Sequence, residues 1–211
     1  MQTKTRPRPR HRALAGALLA ATLTTGGLTA CGGGAAVDAA DPGVGNKVAA
    51  SQPATPAARP LAASKPTGLQ IPAAGVDATT MLDLTTDAAG ELAVPDPDTA
   101  ADDPGWWTGG VTPGEKGVAV LVAHYDTKHG PALMKNVARL APGDEIRVPR
   151  ADGATATFTI REIQDVPKTD FPTSKVYTPT PTPELRLLTC GGPIKDGHRA
   201  NNVILYASLA A

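Results

Sequence analysis

The chain has 211 residues, with 20 basic and 20 acidic side chains and only 3% aromatic residues. Five of the basic residues (Lys4, Arg6, Arg8, Arg10 and Arg12) fall in the first twelve, so the remainder holds five more acidic than basic side chains. No lysine/arginine patch with interleaved aromatics occurs, so nucleic acid is not expected as a partner, and no internal repeat is visible.

The opening stretch, MQTKTRPRPRHRALAGALLAATLTTGGLTAC, has a basic head without acidic residues, an apolar small-residue run from Ala13 to Ala30, and then Cys31. This is the pattern of a secretory signal. Its end, Leu28-Thr29-Ala30-Cys31, resembles a bacterial lipobox, in which the cysteine is acylated and becomes the first residue of the mature protein. The alternatives are a free secreted protein or an uncleaved transmembrane anchor. About 18 apolar residues just span a bilayer, but Thr22, Thr24, Thr25, Gly26 and Gly27 make a poor anchor. Each reading places the rest of the chain outside the cytoplasm. The chain's one other cysteine is Cys190. Exported proteins normally pair their cysteines, so with Cys31 carrying lipid, Cys190 stands as a free thiol in an oxidising compartment. Such a thiol is a liability unless it is buried or useful.

Residues 32–64 are rich in Ala, Gly and Pro and contain no aromatic residue. A segment of this kind cannot bury enough apolar surface to offset its ordering entropy, so it is expected to be a flexible tether reaching on the order of 30 Å. Every aromatic residue lies at or after Trp106, so residues 65–211 form the expected folded domain.

Within that domain, GLQIPA and TTMLDLTT alternate as short strands. The Val-rich KGVAVLVAHYD is a candidate buried central strand. In GPALMKNVARLAPGDE, Leu133, Val137 and Leu140 are spaced i, i+4, i+7, predicting a short amphipathic helix stopped by Pro142-Gly143. DEIRVPR and ATATFTIREIQDV flank an Asp152-Gly153 turn that predicts a hairpin. ELRLLTC and NNVILYASL complete seven or eight short strands, and the fold class expected is all-β, a barrel or sandwich with short helices.

Three residues sit at expected strand ends, where sites are often mounted: His124 after AVLVA, Cys190 after LRLL, and Arg199 before NVILY. A thiol near neutrality is mostly protonated. To attack a carbonyl it needs a proton acceptor and a cationic neighbourhood, which His and Arg supply. A guanidinium stays charged and presents its donors in a fixed fork suited to a carbonyl or a developing oxyanion. Each of the three taken singly also has a structural reading: an apolar-like buried thiol, a satisfied half-buried histidine, a surface ion pair. His129 and His198 fall in glycine-containing loop stretches and are left with structural readings. Trp106 and Trp107 are expected to be one buried anchor and one groove-edge residue.

Three segments together resemble the sortases. VLVAHYDT…GPALMKNVARLAPGDEI is similar to their histidine segment, LRLLTCGG to their Thr-x-Thr-Cys-type strand end, and HRANNVILYASL to their arginine strand. IPAAGVDA and PGWW bring the likeness nearest to the class F sortases of high-GC Gram-positive bacteria. The resemblance implies a closed sortase-like β-barrel and a cysteine transpeptidase. In it His124 would be the proton donor and acceptor, Cys190 the nucleophile, Arg199 the oxyanion or substrate-carbonyl partner, and Thr189 a residue lining the substrate groove. It further implies an LPxTG-like surface protein as substrate and a peptidoglycan-precursor amine as acceptor. The enzyme would be a monomer at the extracytoplasmic face of the membrane, held there by its N-terminal lipid or anchor, with no cofactor. Ala123 stands where the family usually has Gly before the histidine, and a lipobox stands where a transmembrane helix is common.

Two other classes stay open on residue types alone. His124 and Asp126 alternate onto one strand face, and with His129, His198 or Cys190 could make a zinc hydrolase site, although no HExxH motif exists. A non-catalytic β-domain lipoprotein that binds a wall component would need neither Cys190 nor Arg199. No acidic cluster follows the histidine strand to suggest calcium. Cys31→Ser is expected to abolish lipid attachment without lowering turnover in detergent extracts, read by membrane fractionation and metabolic lipid labelling.

Overall fold

The computed structural model describes residues 43–50 and 58–211. The signal segment 1–31, with Cys31, lies outside the described residues. The strands are β1 (Lys47–Val48), β2 (Leu69–Ile71), β3 (Val76–Ala78), β4 (Leu82–Leu84), β5 (Gly105–Trp107) and β6 (Gly117–Val122). They continue with β7 (Asp126–Thr127), β8 (Gly130–Pro131), β9 (Glu145–Pro149), β10 (Thr155–Pro167), β11 (Pro183–Lys195) and β12 (His198–Leu209). Among the described residues helix is confined to three 3-10 turns and the single-turn α1 (Thr173–Tyr177). The fold is all-β, as the strand patterns predict.

Ten strands make one sheet in the order β3-β2-β9-β10-β12-β11-β6-β5-β4, with β1 also paired to β10, while β7 and β8 form a separate two-stranded ribbon. The strand count exceeds the seven or eight expected because several two- and three-residue strands are too short to leave a period in the sequence. The long members are joined by tight turns: β9 to β10 through Asp152-Gly153, and β11 to β12 through Asp196-Gly197. At the second turn φ is 50° at Asp196 and 80° at Gly197, the pair of positive values that a two-residue type I′ hairpin demands.

The sheet curls around an inner core in which Leu69, Ile71, Ile146, Phe158, Ile160 and Leu187 are fully buried. Its other face carries a second cluster. There Val118, Val120, Val122, Leu188, Ile204 and Tyr206 are covered by Val176, with Phe171 and Tyr177 packed alongside. β6 is buried on both faces because β11 and β5 flank it and both clusters touch it.

The helix predicted over 130–143 is absent. Met134, Val137 and Leu140 are fully buried, and the amides of Val137 and Leu140 bond the carbonyls three residues back. That spacing of three is the 3-10 period. Pro131 and Pro142 leave too few residues between them to offset helix nucleation, and the Met134 amide is already committed to the His124 carbonyl at 2.8 Å.

Within the expected tether, residues 43–50 and 58–64 run along the domain. β9 pairs with β10 only from Thr155 to Thr159, and β1 takes up that same edge further on, opposite Glu162 and Ile163. Val44 enters the inner core, and Lys47 Nζ donates to the carbonyls of Ala138 and Leu140 at 2.9 and 2.7 Å. Arg150, 4% exposed, donates to the Ala62 carbonyl. Short stretches with one or two anchoring side chains can thus dock where a long strand leaves part of its edge unpaired.

Phe158 lies opposite Ile146 on one side and Leu209 on the other, at the centre of the inner core. Phe158→Ala is expected to lower the unfolding free energy by about 3–5 kcal/mol, measured by the shift in denaturant midpoint.

Candidate active site

β6 and β11 run parallel, with Val122 beside Leu188, and the Ala123 amide donates to the Leu188 carbonyl at 3.0 Å. Parallel neighbours end on the same side of a sheet, so His124 leaves β6 near the level at which β11 reaches Cys190. β12 returns antiparallel, placing Asn202 opposite Cys190 and Asn201 opposite Gly191. The register then slips, and Ile194 pairs with Arg199. β11 spends Gly192 and Pro193 where β12 spends only Ala200.

This bulge corrects the expectation that the strand ends at Cys190. A sheet tolerates proline at a bulge, and β11 therefore continues to Lys195. Gly192 has φ +71°, and a Cβ there would lie 2.6 Å from the Asn201 side chain, so backbone and space both require glycine. The bulge turns the Gly192 carbonyl toward Arg199, whose Nη1 donates to it at 2.9 Å. Nε of the same guanidinium donates to Asp126 Oδ2 at 2.8 Å, and Nη2 lies 2.8 Å from that oxygen. The guanidinium also sits 4.8 Å from the Tyr125 ring centroid, within cation–π range.

His124 is half-buried, with Nε2 2.7 Å from the buried Pro95 carbonyl. A carbonyl only accepts, so Nε2 carries the hydrogen and the neutral ring keeps its lone pair on Nδ1. The segment after His124 folds back through β7 and β8, and the amides of Ala132 and Met134 bond the carbonyls of Tyr125 and His124. Cys190 is a half-buried free thiol. Its strand is in regular register here, so Cys190 shares the face of Leu188, while Thr189 shares the inner face of Leu187 and is 3% exposed. Among the described residues the Thr189 hydroxyl has no hydrogen-bond partner.

The sequence pattern of this region decides its family. The Sortase domain model matches residues 69–210, which hold His124, Cys190 and Arg199. The chain belongs to the sortase family.

Solved sortases share the fold at low identity. Sortase A from Corynebacterium diphtheriae, as a lid mutant, is 20% identical with a TM-score of 0.51, the match covering 71% of this chain and 73% of that one. A Clostridium perfringens Sortase D5 transpeptidase is 18% identical with a TM-score of 0.50, over 70% and 79% of the two chains. Sortase C1 from Streptococcus agalactiae is 15% identical with a TM-score of 0.51, over 69% and 67%. Comparison with curated protein sequences finds no match.

Other candidates from the sequence lie as follows. His129 is exposed and pairs with Asp98 at 2.9 Å, and His198 is exposed at the start of β12. Trp106 is buried, its Nε1 donating to the Val111 carbonyl, while Trp107 is half-buried with its ring edge-on to Tyr177 at 5.5 Å. Among the described residues no three of His, Cys, Asp and Glu gather as a metal ion would require. No helix among them is long and apolar enough to cross a membrane.

Three residues of this candidate site are not marked by the sequence as such: Asp126, Pro95 and Lys168. Asp126 stands only two residues beyond His124, where the residue types alone suggest a metal ligand. Pro95 comes from the 85–104 connection, which carries no periodic signal. That connection is tied to the β7–β8 ribbon by Asp98, whose carboxyl Lys128 and then His129 hold below the usual range.

Burial pushes the Cys190 thiol up, with Asp126 adding to the rise and Lys168 and Arg199 opposing it. Desolvation is the largest of these influences, so Cys190 rests as a thiol at neutral pH. Alkylation of Cys190 by iodoacetamide is therefore expected to rise with pH to a midpoint above that of an ordinary cysteine thiol. A midpoint below neutral pH would show a resting thiolate instead.

Proposed function

We propose that this sortase is a class F-like transpeptidase that cleaves an LPxTG-like sorting signal between Thr and Gly and transfers the acyl part to an amine of the cell wall. The observation that carries the reading is the meeting of the three chain segments: His124 just past the end of β6, β11 passing through Cys190, and β12 returning Arg199 to the bulge next to Cys190.

In the first half-reaction the Cys190 sulfur bonds to the threonine carbonyl carbon while its proton passes to the His124 ring, whose open nitrogen is Nδ1. The carbonyl oxygen gains negative charge, which Arg199 offsets. Collapse of this intermediate breaks the C–N bond, and the imidazolium gives its proton to the departing glycine amine. A thioester remains. In the second half-reaction His124 takes a proton from the incoming amine, whose nitrogen bonds to the same carbon, and as the C–S bond breaks the imidazolium returns that proton to the sulfur, restoring the thiol. Splitting the exchange this way gives ping-pong kinetics. A thiol kept protonated until a base accepts its proton suits a half-buried nucleophile in an oxidising compartment, since the thiolate is the form that oxidises.

Thr189 underlies this site from the core side. The N-terminal signal would place the enzyme at the extracytoplasmic face of the membrane, with Cys31 as its lipid attachment and surface proteins and peptidoglycan precursors within reach. The enzyme would act as a monomer.

Incubating the full-length chain with an LPxTG peptide and an amine acceptor, with products read by mass spectrometry, tests the reading. Cys190→Ala is expected to remove both the acyl-enzyme mass and all turnover while leaving the melting temperature near that of the parent. Detectable transfer by this variant would reject the mechanism. Arg199→Lys is expected to lose about a hundredfold in rate, roughly 3 kcal/mol, because lysine is a flexible point charge and cannot reproduce the fork. A near-parental rate would mean that Arg199 acts through charge alone.

A further inference from the structure

The Arg199 guanidinium is gripped at each of its nitrogens. Nε and Nη2 both face Asp126 Oδ2 at 2.8 Å, and Nη1 donates to the Gly192 carbonyl at 2.9 Å. The contact with Asp126 spans 73 positions of sequence. It is also sheltered, with side chains 16% and 25% exposed, whereas Lys65–Asp83 and Lys128–Asp98 are surface pairs with both partners at least about half exposed. Exposed pairs contribute little, but a sheltered, charge-assisted contact fixes direction as well as charge.

Asp126 reaches this position because β7 and β8 form their own ribbon directly after His124, with Asp126 opposite Pro131. The same ribbon is held to the core by the Met134 amide on the His124 carbonyl. A single short segment therefore fixes the histidine backbone and the carboxylate that steadies the arginine.

We propose that Asp126 is a positioning residue of the reaction: it holds the Arg199 guanidinium against the Gly192 carbonyl, beside Cys190, so that the cation is in place before substrate arrives. The proposal rests on the transpeptidase reading for what Arg199 does, but not for how Arg199 is held. The charges that act on the thiol are Lys168 in the turn after β10, Asp126 on β7 and Arg199 on β12, with His124 leaving β6 near the level of Cys190. Of these, Asp126 is the one whose loss both releases Nε and Nη2 of Arg199 from its carboxylate and removes a negative charge near the sulfur.

The test uses the full-length chain carrying Asp126→Asn, which keeps the shape and one acceptor oxygen but loses the charge. With an LPxTG peptide and hydroxylamine, kcat is expected to fall on the order of tenfold to a hundredfold, the scale of a displaced catalytic group, with KM changed far less. The Asp126→Asn/Arg199→Lys double variant is expected to be no slower than Arg199→Lys, since Asp126 acts through Arg199. Two readouts need no turnover. The iodoacetamide midpoint of Cys190 is expected to move to lower pH, and the Arg199 Nε–H resonance, assigned by its loss in Arg199→Lys, to exchange faster with solvent. Asp126→Glu, which keeps the charge and shifts it by one methylene, is expected to lower kcat while leaving the midpoint near that of the parent, and it serves should the Asn variant fold poorly. Parental kcat with an unmoved Nε–H signal would overturn the proposal, as would losses that multiply in the double variant. Absence of turnover in the parent would sink the transpeptidase reading instead, and the exchange rate and the midpoint would still decide whether Asp126 holds Arg199.

Discussion

The site depends on one register: Val122 of β6 beside Leu188 of β11, two parallel strands joined in the middle of the sheet. Side-chain direction in a strand alternates with period two, so a slip of one residue would send Cys190 to the inner core and Thr189 outward. Burial resists that slip from both faces. Leu185 and Leu187 fill the inner cluster while Leu188 belongs to the outer one, and β6 beside them is buried throughout. A polar thiol at Cys190 and a buried threonine at 189 are thus consequences of where leucines must go. The three-residue grip on Arg199 follows one step later, because it needs the bulge to begin just past Gly191.

That bulge resolves a conflict between hairpin geometry and chemistry. A perfectly paired β11–β12 hairpin would keep the Gly192 carbonyl in the ladder, bonded to β12. Adding one residue to β11 releases it, and Arg199 takes it up. Glycine accommodates the left-handed conformation, and proline, which has no amide hydrogen to leave unpaired, accompanies it. The Asp196-Gly197 turn then closes the hairpin with the twist that long paired strands require.

Much of this was legible in the sequence because local chemistry announces itself. The continuous apolar run of β6, the Asp-Gly hairpin between β9 and β10, and the three segments that carry His124, Cys190 and Arg199 all lie within a few residues of their own cause. What was not legible depends on distant parts of the chain. The Leu133, Val137, Leu140 spacing fits an α-helix as well as Met134, Val137, Leu140 fits a 3-10 turn, and only the bond from Met134 to His124 chooses between them. β1 exists because β9 stops short along β10, and nothing within Gly43–Ala50 says so. Asp126 met Arg199 across the whole second half of the domain. The Asp196-Gly197 turn is the instructive exception: its dipeptide is as clear a hairpin signal as Asp152-Gly153, but Gly191-Gly192-Pro193 just before it reads as the end of a strand.

The outer face of the sheet explains why the Cys190 thiol is only half-buried. Along β11 the residues on this face are Arg186, Leu188 and Cys190, at 4% exposed, 9% exposed and half-buried in turn. The gradient follows the segment 168–182, which crosses the same face and lays Val176, Phe171 and Tyr177 over it. Where that cover is complete, even charge is enclosed: Arg186 is paired to Glu184 and stacked on Tyr206, whose hydroxyl burial pushes up to about 12. Toward Cys190 the cover gives way to the 3-10 turn Lys168–Asp170, with a lysine whose charge reaches the thiol. A sulfur at this boundary is desolvated enough to stay protonated at rest and open enough to meet a carbonyl. Shifting it two residues toward Arg186 would seal it under the aromatic cover, so the exposure of the thiol is fixed by where the covering segment leaves the sheet.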